Sequence, residues 1–404
     1  MPAAPRPLRI LVTDGNSRAA LAITRSLGSR GHDIMVGGKR AVTLAARSRH
    51  CRHGFAYPDP SGNKDAFVDH LAETVRRHRV DLLIPVTDVC VLPVSEARER
   101  FLPHVRLVLP PHDSLRLAAD KHRLLELARE IGVPRPASWL VETPADILPA
   151  LYRIGYPVVI KPSRSRVPSG RGWLSTRVDY AECPEDLEEK LCKLPAAAYP
   201  IVLQERIVGP GIGQFYCYDQ GRCVAAFAHR RLREKPPSGG VSVLRESVPL
   251  DPEADRCSRL LLERLNWHGV AMVEFKRDQR DGRPRLMEIN GRFWGSLQLA
   301  IDAGVDFPWL LTRIALGELA EDDAFPDYRN GVRSRWLCGD MDLMLMYLFK
   351  SRRQLQLPAD APPRWRTLLD ILKPFGRDMH YEVLRRSDFR PWLHEFRGWL
   401  QRIC

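Results

Sequence analysis

The amino-acid sequence predicts a protein of mixed α/β and α+β class that consists of three parts. Apolar runs of strand length alternate with helical patterns over residues 1–112, which predicts a Rossmann-like lobe built on a parallel sheet. Strand-like segments dominate the second half of residues 113–322 and indicate a substantially antiparallel sheet. Apolar residues at helical spacing, with arginines between them, predict a helical C-terminal extension over residues 323–404.

The first lobe begins with an apolar run at residues 8–12, which predicts a strand. Ala20, Ile23 and Leu27 follow at a spacing of three to four residues and predict a helix. Because strands that alternate with helices pair in parallel, we expect a doubly wound sheet. Further strands are expected at residues 34–36, 81–86 and 105–109.

The loop after the first strand lacks the glycine pattern of a dinucleotide-binding turn, since Gly15 is followed by Asn16, Ser17 and Arg18. The carboxyl ends of parallel strands nevertheless form a common ligand position. Candidate residues for another ligand at these strand ends are Asp14, Asn16, Ser17, Thr87 and Asp88.

Composition excludes several classes of protein. The 404 residues are 44% hydrophobic and 27% charged, which excludes a disordered or fibrous chain. The net charge is +13, but the arginines spread along the whole chain, so we expect no nucleic-acid partner. Nine cysteines without a C-x-x-C pair indicate reduced thiols and a cytoplasmic location. Apolar runs are too short for a signal peptide or a transmembrane segment, and we expect neither.

Acidic and amide side chains recur on two strand-like segments, at residues 270–276 and 285–289. The connection between them is rich in Asp and Gly, as in a hairpin, so pairing can bring Glu274 beside Glu288. Asn290 shares a strand face with Glu288 because side chains alternate with period two. Two carboxylates and an amide oxygen suit Mg²⁺, and Arg292 can reach a transferring phosphoryl group. The alternative is a set of solvated polar residues on a strand face.

Two lysines stand at junctions between predicted elements. Lys121 follows Asp120 at a helix start, and Lys161 ends a strand that leads into a loop with Ser169, Gly170 and Gly172. Only ten of the 62 basic residues are lysines, so lysines at such junctions favour phosphate binding over plain surface residues. A strand that runs into glycines, at residues 201–209, has backbone groups that suit an adenine edge.

Taken together, these motifs resemble those of the ATP-grasp superfamily, and most closely the branch of the carbamoyl-phosphate synthetase large subunit and related carboxylate–amine ligases. The resemblance covers residues 8–320, and its most specific element is the Glu-x-Asn-x-Arg run preceded by Glu274. It implies that the first lobe is a pre-ATP-grasp domain and residues 113–322 an ATP-grasp domain. The residues that carry it are Asp120-Lys121, Val159 to Pro162, the Ser/Gly loop, Gln204 to Ile207 and Glu288 to Arg292.

The resemblance implies a role in ATP binding or phosphoryl transfer for each of these site residues. Lys121 and Lys161 would hold the phosphates of ATP, and the loop from Ser169 through Gly170 to Gly172 would close over them. The segment Gln204, Glu205, Arg206 and Ile207 would bind adenine, largely through its backbone. Glu274, Glu288 and Asn290 would bind one or two Mg²⁺ ions, with Mn²⁺ as an alternative, and Arg292 would stabilise the transferred phosphoryl group. The loop has fewer glycines than is usual for the family, and no acid follows the hinge to bind the ribose.

The substrates are harder to infer. Arginine forks suit carboxylates, so the patch of His229-Arg230-Arg231, Arg233 and Arg245 predicts an acidic substrate, with a solvated face of an Arg-rich protein as the alternative. Within this patch, His229, Arg230 and Arg245 are the candidate substrate residues. The expected reaction is phosphorylation of a carboxylate by ATP to an acyl phosphate, followed by attack of an amine. A bicarbonate-activating enzyme of the carboxylase or carbamoyl-phosphate type remains open, as does a non-catalytic nucleotide-binding scaffold. A homodimer and peripheral membrane contact through the C-terminal helices also remain open.

Overall fold

The computed structural model describes most of the chain. The described residues are 6–147, 149, 155–162, 167–169, 172–174, 179–194, 198–237, 240–320, 323–352, 354–355, 357, 362–373, 376 and 378–403. The middle of the predicted loop that contains Gly170 lies outside them. Residues 145–153, whose sequence pattern predicts a helix, also lie mostly outside them.

The first lobe is a four-stranded parallel sheet in the order β3-β2-β1-β4, as predicted, with helices between the strands. The expected strand at residues 105–109 is reduced to one bridge between Arg106 and Leu82, because its apolar side chains are buried by packing rather than by strand pairing. The elements are β1 (Arg9–Val12), α1 (Arg18–Gly28), β2 (Asp33–Gly38), β3 (His53–Ala56), α2 (Lys64–His78), β4 (Leu82–Ile84) and α3 (Asp88–Glu96), with short 3₁₀ turns at Ala45–Arg47 and Arg98–Arg100.

A second, antiparallel sheet follows in the order β5-β10-β6-β9. Val158 and Ile160 point into the core of this sheet, so Lys161 projects from the opposite face. The elements here are α4 (His112–Ala119), α5 (Lys121–Glu130), β5 (Ser138–Val141), a 3₁₀ turn (Pro144–Asp146), β6 (Val158–Pro162), the hairpin of β7 (Val167–Ser169) and β8 (Gly172–Leu174), β9 (Asp179–Ala181), α6 (Pro184–Cys192) and β10 (Ile201–Glu205).

The third sheet has seven strands in the order β15-β14-β11-β12-β13-β16-β17, antiparallel except for the last pair. It shares one hydrophobic core with the first lobe, in which Ile10 packs with Phe215 and Trp294. Its elements are β11 (Gly211–Asp219), β12 (Arg222–Lys235), β13 (Val241–Ser247), α7 (Pro252–Arg264), β14 (Gly269–Arg277), β15 (Pro284–Asn290), α8 (Leu297–Ala303), α9 (Phe307–Leu316), β16 (Arg333–Arg335) and β17 (Met379–Tyr381).

The C-terminal extension is mainly helical, with α10 (Leu337–Phe349), α11 (Arg364–Leu372) and α12 (Arg390–Ile403). It returns to the first lobe, where the Asp388 carboxylate lies 2.8 Å from Arg25 Nε and the Glu382 carboxylate lies 3.0 Å from Arg18 Nη1. Among the described residues, no helix combines the length and the apolar character needed to cross a bilayer. The extension is therefore packed onto the lobe that is farthest from it in sequence.

Candidate active site

A pair of carboxylates stands on the hairpin of β14 and β15. Glu274 lies directly opposite Glu288 in the strand register, and Met272 lies opposite Asn290 two positions away. Because alternate residues share a face, Glu274, Glu288 and Asn290 all line one cavity of about 230 Å³. The hairpin predicted from the spacing therefore forms, and it brings together the three oxygen-bearing side chains.

Each carboxylate of the pair has a cationic neighbour. The Arg231 guanidinium donates to Glu274 Oε2 at 2.7 Å, and Lys121 Nζ lies 3.7 Å from Glu288 Oε2. Burial raises the pKa of Glu274, the Arg231 charge opposes this shift only in part, and the smaller contribution of the Glu288 charge adds to it. Burial opposes the charge of Glu288 as well, but Lys121 and the Asn290 amide outweigh it and hold the pKa of Glu288 below its usual range. The two carboxylates therefore differ in proton affinity, which is higher for Glu274 than for Glu288.

The Asn290 and Arg292 side chains extend this cluster in a line. Asn290 Nδ2 donates to Glu288 Oε1 at 2.9 Å, and Arg292 Nη2 donates to Asn290 Oδ1 at 2.8 Å. Arg292 Nε also donates to Asp88 Oδ2 at 3.0 Å, which ties the site to the first lobe. Asp88 was a candidate ligand residue at the strand ends, but its sequence position gave no signal of this partner.

Lys161 faces the same region from the second sheet. Its Nζ donates to Gln204 Oε1 at 2.6 Å on the neighbouring strand, and Gln204 Nε2 lies 3.3 Å from Ser138 Oγ. Burial lowers the pKa of Lys161 to about 8, and the charge of Lys121 lowers it further than Glu288 restores it. The lysine therefore lies within electrostatic reach of Lys121 and Glu288, and its ammonium group lacks a carboxylate partner among the described residues.

The segment at the end of β10 is held by several contacts of its side chains and backbone. Glu205 accepts a hydrogen bond from the backbone N–H of Ala137 at 3.1 Å and pairs with Arg280 at 2.6 Å. Arg206 lies over the Tyr180 ring, and the Ile207 carbonyl accepts from Lys276 Nζ at 3.3 Å. The backbone N–H groups of Glu205 and Arg206 are bonded as well, to the carbonyls of Ala137 and Pro157. Adenine binding by this segment stays a prediction.

The loop residues predicted to close over phosphates are only partly described. Ser169 pairs with Gly172 at the end of the β7–β8 hairpin, and Gly170 lies outside the described residues. The closing role of this loop stays a prediction.

Two of the three predicted substrate residues, His229 and Arg245, line the cavity, and Arg230 does not. His229 and Arg230 are consecutive on β12 and therefore point to opposite faces. His229 lines the cavity, but burial and the charge of Arg245 drive its pKa well below the ordinary value, so the ring is neutral. Arg245 is fully buried and bonds Glu382 at 2.9 Å. The exposed Arg230 bonds Glu246 outside the cavity, where its Nε donates at 2.7 Å.

Arg231, the next residue of the same run, is the arginine that faces both the cavity and Glu274. Arg18 of helix α1 lines the cavity as well, although 200 residues separate it from this run. Period-two alternation from His229 identifies Arg231, whereas nothing in the sequence pattern identifies Arg18.

The donor set of the hairpin suits a magnesium ion. Glu274 and Glu288 supply hard carboxylate oxygens. Asn290 stands next to Glu288, to which its Nδ2 donates, and its amide oxygen accepts from Arg292. Within the part of the chain that the structure describes, no three His, Cys, Asp or Glu side chains form a cluster that could hold a metal. Arg231 and Lys121 provide positive charge beside Glu274 and Glu288 respectively.

Comparisons with known proteins agree with this architecture. Residues 201–339 match the family described as "ATP-grasp in the biosynthetic pathway with Ter operon". The carbamoyl phosphate synthase large chain of Thermotoga neapolitana is 22% identical over 365 residues, which cover 85% of this chain and 31% of that protein. This chain thus spans less than a third of the length of the curated relatives it matches.

Solved structures share the fold at low sequence identity. The L-amino acid ligase from Bacillus licheniformis superposes with a TM-score of 0.63 at 17% identity, over 82% of this chain and 79% of that chain. The biotin carboxylase domain of 2-oxoglutarate carboxylase from Hydrogenobacter thermophilus, solved with MgADP and bicarbonate, gives 0.62 at 16% identity, over 81% and 74%. The three-part α/β and α+β architecture predicted from the sequence is therefore confirmed.

Proposed function

This chain belongs to the ATP-grasp superfamily, and from that premise we propose that it is an ATP-dependent ligase that joins a carboxylate to an amine. The observation that carries the proposal is the hairpin on which Glu274 faces Glu288, with Asn290 and Arg292 in line beside them. A protein that only binds nucleotide has no need of this complete set, because its charges are arranged for a developing phosphoryl group.

The proposed reaction has two steps. First, a carboxylate oxygen of the substrate attacks the γ-phosphorus of ATP, the bond to the ADP oxygen breaks, and an acyl phosphate forms. The nitrogen lone pair of the amine then attacks the acyl carbon, a C–N bond forms, inorganic phosphate leaves, and the amine loses a proton to solvent. Phosphoryl transfer depends on positioning and charge neutralisation, so a site without a protein nucleophile suits it.

The cationic side chains divide this work. Lys161 and Lys121 stand where they can hold phosphate oxygens as point charges, and Arg292 can bind the transferring phosphoryl group through its planar fork. Arg231 and the neutral His229 face the space next to Glu274, where the substrate carboxylate would lie. We assign the substrate contact to Arg231 in place of Arg230, because only Arg231 reaches the cavity.

Glu274, Glu288 and Asn290 are the residues that would hold Mg²⁺, or Mn²⁺ in its place. When bound, the ion neutralises phosphate charge and polarises the phosphoryl group. The backbone of Glu205 to Ile207 would bind adenine, with Gln204 fixing Lys161, and the Ser169–Gly172 turn would cover the phosphates.

The experiment is ADP release with Mg-ATP over a panel of amino acids, small acids and bicarbonate, with hydroxylamine present to trap an acyl phosphate as hydroxamate. Glu288→Gln is the control, because it removes one carboxylate at nearly constant volume. We expect hydroxamate from wild type with at least one acid and none from the variant. ADP release with bicarbonate alone would favour a carboxylase-type reaction, and nucleotide binding without turnover on any acid would favour a scaffold.

A further inference from the structure

A second, larger cleft lies beside the carboxylate-pair cavity. Its volume is about 610 Å³, and it shares Arg18, Arg292 and Gly295 with the smaller cavity, so the two meet at Arg292. Asn16, Ser17, Thr87 and Asp88 place it at the carboxyl ends of β1 and β4, the position where open α/β sheets bind ligands. Its size is that of a pocket for a small organic molecule rather than for ammonia or bicarbonate.

The outer wall of this cleft comes from helix α12. His394, Gly398 and Arg402 stand four residues apart and so share one helix face, which lines the cleft together with Glu395. This helix lies beyond the region matched by the family comparison, which ends at residue 339. The cleft is therefore incomplete without the C-terminal extension.

Two indole hydrogen bonds fix the helix in place. Trp399 Nε1 donates to Asp342 Oδ1 at 2.6 Å, and Trp336 Nε1 donates to Glu395 Oε1 at 2.9 Å. On the same helix, the Phe396 ring stacks between those of Trp392 and Trp399, with centroids 5.1 and 5.8 Å away. The wall is thus preorganised, and its residues can select a ligand by shape and charge.

Charge in the cleft is unevenly compensated. Arg292 pairs with Asp88 at 3.0 Å, and Arg18 pairs with Glu382 at 3.0 Å. Arg402 is exposed at the end of α12 and forms no ion pair with another residue that the structure describes. A guanidinium without a counter-charge favours a ligand carboxylate or phosphate, which it can bind through two parallel hydrogen bonds.

We propose that this cleft binds the amine substrate and that this amine also carries a carboxylate or phosphate group, which pairs with Arg402. The inference rests on the proposed function and names the substrate class for its second step. The phosphoryl group and the substrate carboxylate would occupy the smaller cavity next to Glu274 and Glu288. The amine would then approach the acyl carbon from the larger cleft, past Arg292, and its anionic group would face α12.

The position of Gly398 allows a direct test. A Cβ on Gly398 would meet no atom within 4 Å outside the helix's own backbone, so Gly398→Phe places its ring in the cleft without displacing the wall. Leu400→Phe is the matched control, since it adds an aromatic ring to the same helix at an exposed position that does not line the cleft. Hydroxylamine is small enough to reach the acyl carbon past the added ring.

With an acid found in the panel, we expect Gly398→Phe to form hydroxamate within about twofold of wild type but to lose amide formation by about 100-fold. Leu400→Phe should retain both reactions. Loss of hydroxamate by a folded Gly398→Phe variant would place the carboxylate substrate in this cleft and overturn the assignment. Retained amide formation would overturn it as well. A wild-type protein that forms no hydroxamate with any acid would refute the proposed function first, and the inference with it.

The charge requirement is tested with amines that carry a carboxylate, a phosphate or no anionic group. We expect turnover only with an anionic amine, and the better of the two anionic series identifies the group. Arg402→Ala should raise the KM for that amine about tenfold, with Arg402→Lys intermediate, while the KM for the acid stays constant. Equal turnover of the neutral amines, or an unchanged amine KM in Arg402→Ala, would refute the role of Arg402.

Discussion

The lowered pKa of Lys161 predicts a specific link between nucleotide binding and pH. In the empty site, burial and the charge of Lys121 bring its pKa to about 8, well below the ordinary lysine value of about 10.4. Since a tenfold change in protonation corresponds to about 1.4 kcal/mol, the site opposes the charged form by about 3 kcal/mol. Phosphate oxygens beside the ammonium group would reverse this penalty and restore the full charge.

The affinity for nucleotide should therefore fall as the pH rises. Nucleotide binding favours the charged lysine, so affinity is full below pH 8 and falls as the pH rises through 8. At pH 8 about half of the empty sites lack the proton, and binding should take up about half a proton per site. At pH 9 only about one site in ten is charged, so the Kd for ADP should be about tenfold higher than at pH 7.

Isothermal titration calorimetry measures this uptake directly, because the observed heat varies with the ionisation enthalpy of the buffer. Lys161→Arg is the matched control, since a guanidinium stays charged throughout this pH range. We expect the variant to bind ADP with no proton uptake near pH 8 and a nearly constant Kd from pH 7 to 9. Equal proton uptake by wild type and Lys161→Arg would refute the assignment of Lys161 to the nucleotide phosphates.

Three further substitutions test other parts of the structure. Glu288→Gln should lower ADP formation by at least about 100-fold in a coupled turnover assay, because it removes a carboxylate from the proposed magnesium set; activity above a tenth of wild type would contradict that role. Arg231→Ala should raise the KM for the carboxylate substrate about tenfold, whereas Arg230→Ala, on the opposite strand face, should leave it unchanged; equal effects in steady-state kinetics would contradict the assignment. Glu382→Gln should lower the free energy of unfolding by about 3–5 kcal/mol, because it leaves the buried Arg18 and Arg245 guanidinium groups without their carboxylate. Glu96→Gln, in an exposed ion pair, should cost less than about 1 kcal/mol, and equal losses in urea denaturation would contradict the buried-pair argument.

Local sequence patterns were sufficient to predict the strands that carry Glu274 and Glu288. The hairpin was predictable because Glu274 and Glu288 flank a short turn, so loop closure leaves few alternative registers. The parallel first lobe was predictable for the same reason, since alternating strand and helix patterns restrict its topology. The strand expected at residues 105–109 was wrong because burial and strand pairing both select apolar residues, and only burial operates there.

Substrate-side residues show where local reasoning fails. His229 and Arg230 cannot both face the cavity, because consecutive side chains of β12 point to opposite faces of the sheet. Arg245 carries the residue type expected of a carboxylate ligand, but its charge is used by Glu382, which lies 137 residues away. Arg231 also pairs with a carboxylate, that of Glu274, but 29% of its side chain is exposed, against 1% for Arg245. A residue type thus predicts a chemistry, and burial together with the partner decides whether that chemistry is available to a ligand.

By itself, the sequence determined the class of the protein, the order of its elements and the spacing of the Glu274, Glu288, Asn290 and Arg292 set, because these depend on contacts close along the chain. The tertiary structure alone decided that Arg18 lines the cavity and where the C-terminal extension lies. Arg25 and Asp388 are 363 residues apart, and such a contact leaves no periodic trace in either segment. Long-range pairing depends on the whole packed core, so the wall that α12 adds to the site became visible only in three dimensions.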